Sequence, residues 1–388
     1  MSFTTRNHYV PQWYQERFLA PGRAEDKYYY LDLNPEKVAR VDGGHFFRNE
    51  LRRLGPVSCF KMDHLYTLRF GEYAFDIVEK QFFGEIDSSG CNAVDFFHDY
   101  SWRAGSNEAF NSLIRYMDAQ KLRTPKGLEF LKKLTGASSH QDTLKMMGSL
   151  FQMHATLWTE SVWEVLYCDN SPTKFIISDH PVTTYNKGHF PGSPACKFPL
   201  DSLVETVGTH TLFPVDLNRC LVITNLGYVR NPQINPTKPR VNPRYFNNSV
   251  FDLRKIQTER QIDESYVRAV NYVIKQRANR YIAAGDADWL YPEKHLPTRM
   301  WNKLGGRDFL MPDPRKVHFT TQFIASFKDG SAWGQDEYGR KSDDNDPKVN
   351  RLRDKELRTF HASQEAWDSR YGPLDDKEWG KYMVGPDA

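Results

Sequence analysis

The apolar positions fall into short extended runs near the N-terminus, then into helical stripes, then into strand-like blocks. His8-Tyr9-Val10-Pro11 reads as extended, and Pro11 suits the first position of a helix through Gln12, Trp13, Tyr14, Arg17 and Phe18. Residues 27–33 and 38–41 are short β-prone runs split by Asn34-Pro35, which predicts a small hairpin. Over 70–87 the pattern turns helical, with Tyr73, Phe75, Ile77, Val78, Phe82, Phe83 and Ile86 supplying apolar faces. A second helix is expected over 107–122, capped by Ser106 or Asn107 and ended by Thr124-Pro125.

The longest clear stripe starts near His140. Met147, Phe151, His154, Trp158, Val162 and Val165 step by three or four, which predicts one long helix with His154 as a hydrogen-bonded core residue. Beyond Ser171-Pro172 the texture becomes β: residues 174–178, ending at Asp179-His180-Pro181, then 211–214 and 220–224. A last helix is expected over 264–284. Helices and strands come in blocks rather than in strict alternation, so the expected class is α+β, mostly helical with a small mixed or antiparallel sheet carrying the Ser-Asp-His-Pro motif.

Composition narrows the function classes. Charged residues make up 26% of the 388 positions and no apolar run approaches the ~20 residues that span a bilayer. The first residues lack the apolar core of a secretory signal, so a cytoplasmic location is expected. Five scattered cysteines without CxxC spacing argue against a disulfide framework or a structural zinc site. The net charge of +3 is unevenly spread: residues 331–388 hold ten basic and thirteen acidic side chains, leaving the remainder near +6. Any polyanion-binding surface is therefore a local patch.

Asn7-His8-Tyr9-Val10-Pro11-Gln12, followed by an aromatic helix ending in Arg17-Phe18, resembles a mainly bacterial family of unknown function, here called the HYVP family. Glu79 and Glu85, Arg123-Thr124-Pro125 after Ala119-Gln120, Phe175-Ile176-Ile177-Ser178-Asp179-His180-Pro181, and Leu212-Phe213-Pro214-Val215-Asp216 follow in the family's order. Two positions depart from it: His180 stands where Asn is more usual, and Asp87 where a second glutamate often ends the acidic helix. The resemblance spans about residues 5–285. It implies a family domain over 1–290 and a C-terminal extension over 291–388 that packs on the body, on a protein partner or on a second copy.

Several motifs carry candidate chemistry. Asp179 ends a β-run before a proline, where it is either a metal ligand or general base, or an Asx-type cap on local amides. His8 precedes a helix start and is either an acid/base group or bonded to a backbone carbonyl. Glu72 and Glu79 share a helix face, and Glu79 with Asp179 would suit Mg²⁺ or Mn²⁺. Gln120 and Arg123, three apart, form either a phosphate clamp or a structural ion bridge. Between Arg230 and Arg260 seven basic residues face two acidic ones, with aromatics interleaved. Lys238, Arg240, Arg244, Tyr245, Arg254 and Lys255 are the expected contacts to RNA or DNA.

P-loop, zincin, α/β-hydrolase and dinucleotide-binding motifs are absent from the sequence. The expectation is a metal-dependent nuclease or other phosphodiester-acting enzyme, serving as a toxin or phage-defence effector. In this reading His8, Glu79, Gln120, Arg123 and Asp179 form the site. The alternative is a non-catalytic nucleic-acid- or protein-binding component whose motifs act as structural locks.

Overall fold

The structure is a computed structural model that describes residues 6–21, 26–40, 43–70, 73–76, 78–246, 251–319, 322–336, 338–341 and 346–374. Glu72, Ile77, Trp379 and Tyr382 lie outside the described residues. The class is α+β, as expected: helices pack around several small sheets.

The central sheet has five strands in the order Thr183–Tyr185, His210–Pro214, Arg219–Asn225, Ser161–Tyr167, Gln257–Gln261. Its pairings are antiparallel except the last, which is parallel. Ser161–Leu166 is buried at every position, so this strand is covered on both faces. That explains a correction. The stripe from Met147 to Val165 is not one helix but a helix (His140–Ser149), a tight turn, a short helix (Ala155–Thr159) and this strand. A strand that is apolar on both sides matches helical spacing by coincidence.

A second, four-stranded antiparallel sheet runs Ile177–Ser178, Tyr281–Ala284, Tyr28–Asp32, Leu51–Leu54. It carries the Ser-Asp-His-Pro motif at its edge. The hairpin expected between 27–33 and 38–41 is not formed. Instead Tyr28–Asp32 joins this sheet, while Lys37–Ala39 pairs with His45–Phe47. The helix expected over 70–87 is replaced by a hairpin of Leu68–Phe70 with Tyr73–Phe75, followed by a π-helical run, Val78–Phe83, that leads into Gly84–His98.

Gly84–His98 and Ser106–Leu122 form the main helical layer. Their approach is close: a Cβ at Gly90 would sit 2.6 Å from the Tyr116 ring. Tyr14, from the N-terminal segment, stacks on Phe213 of the central sheet with centroids 5.4 Å apart. Its hydroxyl donates to the Pro214 carbonyl.

The extension begins later than residue 291, because Trp301, Leu304, Phe309 and Leu310 belong to the main core. Its long helix, Pro347–Tyr371, is largely exposed and buries Phe360, Ser363 and Trp367. Trp367 joins a separate small cluster with Val162, Val207, Tyr228, Val229 and Met311. Among the described residues no helix is long and apolar enough to cross a membrane.

Candidate functional site

Three of the sequence motifs interlock behind the sheets. Gln120 donates to the Tyr9 carbonyl at 2.8 Å and accepts from Arg123 Nε at 2.8 Å. Arg123 also pairs with Asp87 at 2.8 Å and lies over the Phe83 ring at 5.0 Å. It is 1% exposed, so no substrate phosphate reaches it. Asn7 accepts from the Tyr66 amide, and Tyr66 donates to the Arg123 carbonyl. Glu79 sits in the field of Arg123. Burial pushes its carboxyl up to about 7, against Arg123 and with Asp87 adding to the rise. The geometry of Gln120 and Arg123 is that of a structural ion bridge.

Asp179 and His8 are likewise occupied. The Asp179 carboxylate accepts from the backbone amides of Asn279, Arg280 and Tyr281 at 2.8, 2.7 and 2.9 Å. It is 1% exposed, and burial pushes it up to about 6 against the pull of those three amides. This is the cap arrangement, applied across a hundred residues. It also ends the last helix early: Glu264–Arg277 stops where Asp179 takes up the next amides, and Tyr281–Ala284 becomes a strand. His8 bonds the Val57 carbonyl at 3.2 Å and receives the Gln12 amide at 3.3 Å. Burial lowers its pKa, helped by Lys61. Among the described residues, no three His, Cys, Asp or Glu side chains gather in a metal-holding group.

The basic stretch is mostly tied down as well. Arg240 is buried, donates to the Leu157 carbonyl and Ser161, and is pushed down to about 10 by burial. Arg244 pairs with Glu160, and Arg254 and Lys255 both pair with Asp252. Lys238 is exposed. Tyr245 is half-buried and lines a cleft described next.

That cleft has a volume of about 290 Å³ and lies between the helices and the loop around residue 201. Its walls are apolar, including Phe130, Leu150, Met153 and Val204, with Tyr245 and exposed Phe246 completing the lining. Its polar members are Lys121, Lys126, His154, His180, Asp201 and Glu205, together with Ser202. Lys121 ends the Ser106–Leu122 helix, and Lys126 opens Pro125–Thr135. The two helices meet at Gly127, where a Cβ would lie 2.3 Å from the Lys121 carbonyl oxygen.

Two imidazole–carboxylate pairs stand in this cleft. His154 Nδ1 is 2.8 Å from Asp118, which also accepts the backbone amides of Gln152 and His154. With Asp118 as acceptor, the neutral ring carries its proton on Nδ1 and keeps Nε2 as a base. Among the described residues Nε2 has no hydrogen-bond partner. The His180 ring bonds the Thr124 hydroxyl at 2.8 Å and lies 3.5 Å from Asp201. Burial, with Lys121 and Lys126 adding to it, holds the His180 pKa well below the usual range.

Asp201 is the electrostatic centre of the floor. Lys126 reaches it at 2.8 Å and Arg277 at 4.0 Å. Burial pushes its carboxyl up, but Lys126, His180, Lys121 and Arg277 outweigh that and bring it down to about 2. Lys126 also donates to the Arg277 carbonyl at 2.6 Å. The lining therefore sets Lys121 and Lys126 against Asp201 and Glu205, with the buried Arg277 beside Asp201. His154 is buried and hydrogen-bonded, as its place in the stripe predicts, whereas Asp118, Lys121, Lys126 and Asp201 were not singled out in the sequence. The one available signal was spacing, since Asp118 and Lys121 lie three apart on a helix face.

Neither a curated protein nor a solved structure matches this chain. The family described as "Protein of unknown function (DUF4238)" matches residues 93–288, a span that contains every polar residue of the cleft floor. Because that match covers just over half of its 388 residues, the chain belongs to the DUF4238 family of proteins of unknown function.

Proposed function

We propose that the protein is an enzyme that breaks phosphodiester bonds of RNA or DNA in this cleft, with His154 as general base. The observation that carries the reading is the Asp118-oriented His154 in a cleft that Lys121 and Lys126 also line. His154 Nε2 takes the proton of the attacking hydroxyl or water, and Asp118 stabilises the imidazolium that results. The lysines offset the charge that builds on the phosphate oxygens. Tyr245 and Phe246 offer faces on which one base stacks, while the small volume admits a single nucleotide unit rather than a duplex.

End-labelled RNA and single-stranded DNA test this. His154→Ala and Asp118→Asn, checked for folding by circular dichroism, should cut slower by ~10²–10⁴-fold, the usual worth of a general base. Cutting at the wild-type rate by both folded variants rules the reading out. A chelator arm addresses Mg²⁺ or Mn²⁺: loss of cutting in EDTA, restored by either ion, would show that a divalent ion takes part in the chemistry. The toxin or defence role follows from the same activity and predicts growth arrest on expression of the wild type but not of His154→Ala.

A further inference from the structure

Lys121 differs from the other cations of the floor. Lys126 is held by Asp201 and by a carbonyl, and Arg277 donates to the His189 carbonyl at 2.7 Å. Lys121 Nζ has one long contact, 3.4 Å to the Val182 carbonyl oxygen. Among the described residues it has no carboxylate partner within ion-pair distance. It is half-buried and lines the cleft. The charged and titratable groups around it are Asp118 on its own helix, Lys126 on the next, His180 after the strand, Asp201 in the loop and Arg277 at the end of the last body helix, with His154 and Glu205 in the same cleft lining. A desolvated amine beside other cations is the arrangement that turns a lysine into a nucleophile.

We propose that Lys121 forms an imine with an aldehyde that carries a phosphate ester on its β-carbon, and that the cleft breaks the ester by elimination. This rests on the phosphoester reading of the same cleft. The neutral amine adds to the carbonyl carbon, the carbonyl oxygen leaves as water with the two amine protons, and the imine nitrogen takes one proton from solvent. His154 Nε2 then takes a proton from the α-carbon. The electron pair left behind forms the Cα=Cβ bond, and the phosphate departs with the C–O electrons. Water hydrolyses the unsaturated imine, releasing the aldehyde and restoring the amine. No oxidant or reductant is required. The apolar walls suit the sugar carbons and a neighbouring base, and Lys126 lies in the same lining to meet the leaving phosphate.

The chemistry fits two sources, an abasic site in DNA and a free sugar phosphate. Cyanoborohydride traps imines as stable secondary amines, so the full chain is incubated with it and either an abasic oligonucleotide or glyceraldehyde 3-phosphate. Peptide mapping should place the adduct on Lys121, and Lys121→Gln, with an unchanged melting temperature, should abolish it. Burial lowers this amine to about 8, with Lys126 and Arg277 helping against Asp201 and Asp118. Trapping should therefore be half-maximal near that pH, not near the ~10.4 of a free lysine. An adduct with one probe alone upholds the proposal and identifies the source. No adduct with either probe, or one spread over exposed lysines and retained in Lys121→Gln, overturns it. His154-dependent cutting of intact strands without any adduct would sink the imine and leave the broader reading standing. An adduct without cutting of intact strands does the reverse.

Discussion

Asp201 lies in a loop, yet it is the carboxylate on which Lys126, His180, Lys121 and Arg277 all act. Its carboxyl falls from an ordinary 3.8 to about 2 in the folded chain. A depressed carboxyl contributes stability that is present above pH 3.8 and is lost as pH falls towards 2. Linkage puts that contribution at about 2 kcal/mol at neutral pH. Asp201→Asn should lose at least this much in urea unfolding at pH 7, and the gap to wild type should narrow as pH drops from 4 to 2. A gap that stays constant with pH would mean that Asp201 stabilises by packing and not by charge. The same variant removes the anion that most opposes the lowering of Lys121, so imine trapping should begin at lower pH.

At the scale of elements, the cleft depends on a helix joint. Thr124 caps Pro125–Thr135 by accepting from Gly127 N at 3.1 Å, and it bonds His180 as well. A Cβ at Gly127 would meet two backbone carbonyl oxygens, at 2.3 and 2.5 Å, and backbone cannot swing aside as a side chain does. Gly127→Ala should therefore cost on the order of 2 kcal/mol in thermal unfolding, although it improves helix propensity. An unchanged or raised Tm would show that the joint yields. Elements of this kind were legible where the pattern was local: the Ser106–Leu122 helix with its end at Thr124-Pro125, and the strands at 210–214 and 219–225, whereas the helix that Thr124 caps was not. The break in the His140 stripe was not. It is made by Asp118, which grips two amides of the turn from a different helix. The candidate site was hidden for the same reason. His8, Gln120, Arg123 and Asp179 carry memorable motifs because they lock backbone, whereas Asp201 and Lys121 have no local signature and acquire their roles only from partners far along the chain.

At the scale of the whole molecule, the long C-terminal helix is attached rather than integrated. Trp367 and its neighbours form a cluster separate from the main core, and buried Phe360 stacks on Phe319; the remaining ties are the hydrogen bonds of Gln364 to the Pro314 carbonyl and of Tyr371 to Asp308, and the ion pairs of Arg315 with Asp368, Arg340 with Glu356 and Arg370 with Asp308. Ion pairs at a surface contribute about 0–1 kcal/mol each and weaken with salt, so buried Trp367 and Phe360 hold most of the attachment. Replacing a buried Trp by Ala costs about 3–5 kcal/mol, a large share of what holds this helix. The loss should be local, because the cleft residues lie in the main body and the family match ends at residue 288. Trp367→Ala is thus expected to raise hydrogen exchange across residues 347–371 while protection in the five-stranded sheet and cutting by the cleft stay at wild-type levels. Added salt should deepen the effect on the helix alone. A fall in sheet protection to match the helix would instead make the extension part of one cooperative unit with the body.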